Sequence, residues 1–174
     1  MIRIFLLVLF IGPAVVLLAG CASSGVSAAD MQKRQQAVAA SDLLIVPGER
    51  IGPVRLGMGM DELVAKLGQP DIVIHQIVDD RWDYRSLNLM VGIDHSAAPA
   101  VNDISNVNWS DAPLLTVFKT AEGIGIGASS FDVKRVYGSP DSGDSYDMTY
   151  HSLRMRFFIT DTDHSVMQIS TGPY

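Results

Sequence analysis

The chain has 174 residues, with 13 lysines and arginines against 19 aspartates and glutamates, and a formal net charge of −6. This length fits one compact unit or two small ones. An acidic chain without a basic cluster argues against nucleic acid as a partner, because phosphate binding depends on clustered lysine and arginine. The single cysteine, Cys21, excludes an intrachain disulfide and argues against a cysteine-based zinc site.

The first twenty residues have the pattern of a secretory signal. Arg3 provides a positive start, residues 4–18 form an apolar run interrupted by Gly12-Pro13, and small residues follow. The run is shorter than the roughly 20 apolar residues that a membrane-spanning helix needs. We therefore predict that residues 1–20 are a signal peptide rather than a transmembrane anchor.

The segment closes on Leu18-Ala19-Gly20-Cys21, which resembles a bacterial lipobox. The resemblance implies diacylation of Cys21, cleavage before it and acylation of the new N-terminus, so that several acyl chains hold the domain on a membrane. The alternative is a cysteine that lies by chance near an ordinary cleavage site. Ala22 follows, and in the sorting pattern of some Gram-negative lipoproteins the absence of aspartate there favours the outer membrane. The expected location is the outer membrane, with the domain facing the periplasm.

Residues 21–42 are predicted to be a lipidated tether. Alanine, serine and glutamine dominate this range, and large apolar residues are few. Residues 29–40 contain good helix formers but no broad apolar stripe, which is typical of a solvated or frayed helix. The expected task of the segment is to hold the domain away from the membrane.

An internal repeat organises the rest of the chain. Residues 57–71 and 127–141 both read glycine, a polar lead-in, a short amphipathic helix and then Gly-x-Pro-Asp, and the two copies are 70 residues apart. Gly68 and Gly138 are predicted to end the two helices, because glycine tolerates the backbone that follows a helix and the next proline prevents resumption. A fixed period of this kind indicates two copies of one supersecondary unit.

Each helix is followed by a predicted β-meander. In the first copy the strands are expected at 71–78, 81–84, 88–93 and 101–107, and Leu89, Val91 and Ile93 alternate with other residues as in a half-buried strand. In the second copy, Tyr150-His-Ser-Leu and the residues after it echo Tyr84-Arg-Ser-Leu. Short apolar runs at 43–46 and 114–115 open the two units.

We predict an α+β fold, a tandem duplication of a short strand–helix–antiparallel β-meander module with the helices packed on one face of the sheet. The first repeat is expected at residues 43–110 and the second at 111–174. Neither half has much core for a domain of its own size, so the two are expected to pack side by side as one body.

The glycine-proline helix frames resemble a known module. Leu56-Gly-Met-Gly-Met with Leu67-Gly-Gln-Pro, and Ile126-Gly-Ala-Ser with Tyr137-Gly-Ser-Pro, resemble BamE (SmpA/OmlA-type) outer-membrane lipoproteins. The tandem arrangement is also similar to β-lactamase inhibitor protein (BLIP)-like domains. The resemblance implies a protein-binding module, which supports outer-membrane β-barrel assembly in one family and blocks an enzyme in the other.

Motifs for catalysis or cofactor binding are not found in the sequence. The glycine-rich residues 123–127 lack the Gly-Lys-Ser/Thr ending of a phosphate loop, and no serine lies in a nucleophile motif. Asp94-His95 and Asp163-His164 are the closest approach to a metal or acid–base site, and both fall at predicted turns, where aspartate serves backbone bonding. We therefore predict a non-enzyme with no cofactor, no metal and no catalytic residue.

The sequence does suggest a surface for binding another protein. If Leu89, Val91 and Ile93 face the helices, alternate residues lie on the opposite, open face of the sheet, where aromatic, methionine and arginine side chains are typical of binding hot spots. The alternative is that these side chains pack between the two repeats. The candidate partner-binding residues are Trp82, Tyr84, Met90, Tyr150, Arg156 and Phe158.

The predicted function follows from the expected address and this surface. The chain is expected to be a lipid-anchored cell-envelope protein that acts as a non-catalytic protein-binding scaffold, in outer-membrane assembly or envelope maintenance. Its partners would be the membrane, through the N-terminal lipid, and another envelope protein. The alternative is a periplasmic small-ligand-binding protein, an enzyme or an enzyme inhibitor that uses the groove between the repeats or the open sheet face.

Overall fold

The computed structural model describes residues 26–109 and 117–174. The predicted signal peptide, Cys21 and the opening strand at 114–115 lie outside the described residues. The signal peptide, the lipidation and the domain boundaries therefore stay predictions.

Helices are a minority of the described structure, and strands dominate it. The three helices are α1 (Ala28–Ala39), α2 (Met60–Leu67) and α3 (Ser130–Tyr137). Single 3₁₀ turns cover Arg85–Leu87 and His151–Leu153. The strands are, in chain order, β1 (Leu44–Val46), β2 (Arg50–Ile51), β3 (Val54–Arg55), β4 (Ile72–His75), β5 (Asp79–Tyr84), β6 (Leu89–Asp94), β7 (Val101–Val107), β8 (Lys119–Thr120), β9 (Ser142–Gly143), β10 (Asp147–Tyr150), β11 (Met155–Ile159) and β12 (Val166–Thr171).

The strands form two sheets, and the predicted α+β class is confirmed. The larger sheet has eight antiparallel strands in the order β4-β5-β6-β7-β12-β11-β10-β9, and the smaller has the order β3-β2-β1-β8. In the large sheet the last strand of each half pairs with the other at the centre, with Ser105 opposite Ser170. The two halves thus place equivalent elements in mirror order around a shared midline. Their origin by duplication stays a prediction.

Local chemistry explains where α2 and α3 begin and end. The Ser129 hydroxyl accepts a hydrogen bond from the Asp132 N–H (3.0 Å) and caps α3, whereas Gly59 precedes α2 without a side-chain cap. Acidic residues in each first turn suit the positive end of the helix dipole. Gly68 and Gly138 end the helices with φ of 76° and 82°, a left-handed region that glycine enters without strain. The predicted ends are therefore correct.

One face of the large sheet and the inner faces of the helices enclose the core. Leu89 and Val91 are fully buried and Ile93 nearly so, as their alternation predicts, and they cluster with Leu63 and Val133 from the helices. Burial of each such side chain stabilises the fold by about 1.5–3 kcal/mol. The opposite face of the sheet lies outside this core and is called the open face below.

The first helix does not behave as a solvated tether. Helix α1 packs on α2, and Arg34 and Ala37 in its middle are buried. The prediction of a solvated or frayed helix is therefore wrong for Ala28–Ala39. A weak apolar stripe hid the docking because the helix is held by a polar side chain, Arg34, which is only 1% exposed.

Candidate protein-binding surfaces

Three of the candidate residues do not lie on the open face. Trp82, Tyr84 and Tyr150 are buried in the core, so their predicted exposure is wrong and the alternative, internal packing, holds for them. The strand register explains this: Tyr84 pairs with Leu89, and residues directly opposite each other point to the same face. Each tyrosine also donates a hydrogen bond across the core, Tyr84 to the Gly68 carbonyl (3.3 Å) and Tyr150 to the Gly138 carbonyl (2.9 Å).

The other three candidates, Met90, Arg156 and Phe158, lie half-buried on the open face. The Arg156 guanidinium carbon is 4.5 Å from the centroid of the Phe158 ring, within the range of a cation–π contact. Arg156 also donates two hydrogen bonds to the Asp147 carboxylate, one of them 2.7 Å long. These bonds lower the pKa of Asp147. The pair holds the arginine against the sheet, so the aromatic contact is pre-positioned.

The middle of the open face is polar. Gln168 Nε2 donates to the hydroxyls of Ser105 (3.2 Å) and Ser170 (3.0 Å), which are themselves 2.7 Å apart. Beside them, the Tyr174 hydroxyl donates to the Asp103 carboxylate at 2.6 Å. Burial raises the pKa of Asp103. A shallow cavity of about 160 Å³ opens next to this carboxylate and is lined by Gln76, Asp79, Arg81, Met90, Gly92 and Asp103.

One edge of the large sheet is apolar and exposed. Ile72, Val73 and Ile74 on β4 are 37–41% exposed, and Ile77 and Val78 in the following turn are 98% and 77% exposed. We call these five residues the β4 edge. An unpaired strand edge is a template for pairing with another chain, and natural proteins usually protect it with charge, proline or shortness. The other edge of the sheet is protected in this way, because β9 is two polar residues long.

The hydrogen-bond pattern of β4 shows which backbone groups face outward. The Gln76 N–H donates to the Asp79 carbonyl (3.1 Å), and Ile74 lies opposite Arg81. Hydrogen bonding alternates along an antiparallel pair, so residues 72, 74 and 76 face β5. The N–H and C=O groups of Val73 and His75 therefore point away from the sheet. The sequence predicts a strand here but not its edge position, although an apolar run without alternation was the available signal.

Histidines that the sequence separates meet at one carboxylate. His75 Nδ1 and His95 Nε2 each lie 3.0 Å from Oδ1 of Asp80. Hydrogen bonds from His95 and His75 lower the pKa of Asp80. Within residues 26–109 and 117–174, no group of three or more histidine, cysteine, aspartate or glutamate side chains is arranged to hold a metal ion.

The aspartates of the two Gly-x-Pro-Asp motifs have a structural role. The Asp71 carboxylate accepts a hydrogen bond from the Arg85 N–H (2.5 Å), and the Asp141 carboxylate accepts one from the His151 N–H (2.7 Å). Each motif thus caps the 3₁₀ turn that begins 14 or 10 residues later. The repeat that is visible in the sequence is therefore a device that ties a helix end to a strand end.

Comparison with known proteins identifies no family. No family model matches the chain, and no curated protein does. An extracellular protein containing a SCP domain from Bacillus anthracis is 12% identical over 68% of this chain, with a TM-score of 0.42, and this chain covers 44% of that one, less than half of its length. A DUF4309 family protein (YjgB) from Bacillus subtilis is 14% identical over 67% of this chain and 78% of its own, with a TM-score of 0.43.

Likenesses this distant carry no argument about function. Neither structure is described as a BamE- or BLIP-type protein, so that resemblance stays a prediction. In the part of the chain that the structure describes, no helix has the length and apolar character needed to cross a membrane.

Proposed function

We propose that this chain is a lipid-anchored protein of the outer membrane whose domain faces the periplasm and binds another envelope protein without catalysis. The lipid anchor rests on the lipobox-like residues 18–21. The observation that carries the protein-binding role is the β4 edge, where apolar side chains and outward backbone groups lie together. Its expected place is in outer-membrane assembly or envelope maintenance, as a scaffold.

The β4 edge suits an extended segment of a partner. Such a segment can exchange hydrogen bonds with the outward N–H and C=O groups of Val73 and His75, which supplies affinity independently of the partner's sequence. Ile72 and Ile74 lie opposite Asp83 and Arg81 and therefore share the open face. The partner's alternate side chains would extend the contact onto that face. This mode favours a partner strand with apolar residues at every second position.

Cavity size supports a protein rather than a small ligand. Pockets for small molecules usually enclose about 300–1,000 Å³ and bury most of the ligand. The cavity on the open face is about 160 Å³ and shallow. A broad contact that uses Met90, Arg156 and Phe158 beside the β4 edge fits this surface better.

The test is crosslinking in cells and affinity capture of the tagged full-length protein. Ile74→Lys places a charge on the β4 edge, and Ser142→Lys places the same charge on β9 as a matched control. A stoichiometric envelope protein that the wild type and Ser142→Lys capture and Ile74→Lys loses is the expected result. Cys21→Ser should reduce the capture by releasing the domain from the membrane. Equal capture by both lysine variants, or no captured protein, contradicts the proposal.

A further inference from the structure

Arg34 is bound in a site that we call the first socket. Its guanidinium donates to backbone and side-chain acceptors and lies over an aromatic ring. The contacts are the carbonyls of Leu67 (3.2 Å) and Gln69 (2.6 Å), the carboxylate of Asp71 (2.8 and 3.1 Å), the hydroxyl of Ser86 (2.8 Å) and the ring of Tyr84, whose centroid is 5.0 Å from the guanidinium carbon. Helix α1 docks through this one side chain.

The second half of the chain presents the same groups in the same order. We call them the second socket: the carbonyls of Tyr137 and Ser139, the carboxylate of Asp141, the hydroxyl of Ser152 and the ring of Tyr150. The side chains that contact Arg34 in the first socket, aspartate, tyrosine and serine, are identical in the second.

The local backbone of the two sockets matches as well. Tyr84 has φ −110° and ψ 77°, and Tyr150 has φ −118° and ψ 90°. Both tyrosines donate to the carbonyl of the glycine that ends the helix, and both aspartates accept from the first N–H of the 3₁₀ turn. The second socket is therefore built to the geometry that already binds a guanidinium.

The two sockets differ in what covers them. A Cβ added at Gly68 would lie 2.1 Å from the Asp30 carboxylate of α1, whereas one added at Gly138 would meet nothing within 4 Å. The Asp71 side chain is 11% exposed, while Asp141 and Ser152 are exposed residues. Residues 110–116 contain no lysine or arginine, so that segment supplies no cation to the second socket.

The charge of the second socket selects its ligand. A carboxylate stands next to the carbonyls at the C-terminal end of α3, where the helix dipole is negative, and both features favour a cation. The flat tyrosine ring and the spaced acceptors suit the planar, five-donor guanidinium better than the compact ammonium of lysine.

We propose that the second socket binds an arginine presented by a helix of another protein. Helix α1 shows the pattern that such a helix needs: an acid four residues before the arginine, as Asp30 precedes Arg34, and a small residue three after it, as Ala37 follows. A second copy of this chain is not the occupant, because withdrawing its α1 from the first socket would cost the contacts that the second socket supplies. This inference goes beyond the proposed function and does not depend on the β4 edge.

The probe is a synthetic peptide of residues 26–42, with a helix-stabilising staple between positions 32 and 36, both exposed in α1. The staple is needed because isolated helices of about 12 residues are marginal in water. The peptide is titrated into the full-length chain in detergent while the backbone amide signals of His151 and Arg85 are followed by NMR. Binding to the second socket should move the His151 signal and leave the Arg85 signal in place.

Two substitutions make the result specific. Asp141→Asn keeps an oxygen for the His151 N–H and should weaken binding about tenfold or more, because a charged hydrogen-bond acceptor is lost. A peptide with Arg34→Gln should weaken it similarly. No saturable binding, equal binding to the Asp141→Asn chain, or a shift confined to Arg85 through exchange with α1 would each overturn the proposal. None of these outcomes bears on the β4 edge.

Discussion

Replacing Arg34 by methionine removes the side chain that docks α1 while keeping its length and apolar stem. Arg34 is 1% exposed and makes five hydrogen bonds, and its loss leaves the Asp71 carboxylate without its countercharge. Breaking a buried ion pair on one side costs about 3–5 kcal/mol. Asp71 keeps the bond from the Arg85 N–H and is 11% exposed, so we expect a loss near the lower end, about 3 kcal/mol.

The assay combines urea unfolding with amide hydrogen exchange. If α1 detaches as a unit, exchange within residues 28–39 should approach that of a free chain while the sheet stays protected. The matched control is Arg55→Met, which breaks the exposed pair with Glu62, whose side chains are 51% and 49% exposed, and should cost less than about 1 kcal/mol. If Arg34→Met costs no more than Arg55→Met, the socket does not hold α1 and the reasoning fails.

Three further outcomes are expected. Alanine at Gly68 and at Gly138 should each cost about 1–2 kcal/mol in unfolding free energy, because both positions have positive φ; Gly68→Ala should cost more, since its Cβ would also meet Asp30. Because burial raises the pKa of Asp103 above 3.8, the folded state retains a proton that the unfolded state loses, so stability falls as pH rises from about 3.8 to the folded pKa. Asp103→Asn should remove that fall in urea titrations at successive pH values. Phe158→Ala should weaken partner capture while unfolding stays cooperative.

Each of these has an outcome that contradicts it. Equal costs at Gly68 and Gly138 would mean that α1 does not press on the first glycine. An unchanged pH dependence in Asp103→Asn, compared with the wild type at each pH, would place the buried proton elsewhere. Loss of cooperative unfolding in Phe158→Ala would place that ring in the core rather than on the open face.

Much of the local structure could be predicted because short-range chemistry controls it. The ends of α2 and α3 follow from the glycines and prolines of the repeat, and Ser129 caps α3 as its spacing to Asp132 indicates. The strand that contains Leu89, Val91 and Ile93 buries the face that its alternation marks. These features depend on interactions within a few residues, so a single sequence shows them.

The faces of Trp82 and Tyr84 could not be predicted in the same way. The face on which they lie is set by pairing with β6 across the 3₁₀ turn, and a slip of one residue would move both to the opposite face. The sequence shows the strand but not the register, which placed two candidate residues in the core.

Arg34 and the β4 edge were decided by tertiary structure alone. The acceptors of Arg34 come from residues 33 to 52 positions away, and without them a mid-helix arginine has every property of a solvated one. Whether a strand is an edge depends on which neighbours the whole sheet supplies. The sequence by itself determined the repeat, the helix ends and the alternation, because these are local. The sockets, the register and the exposed edge required the folded chain, because each depends on groups that are distant in the sequence and come together only in three dimensions.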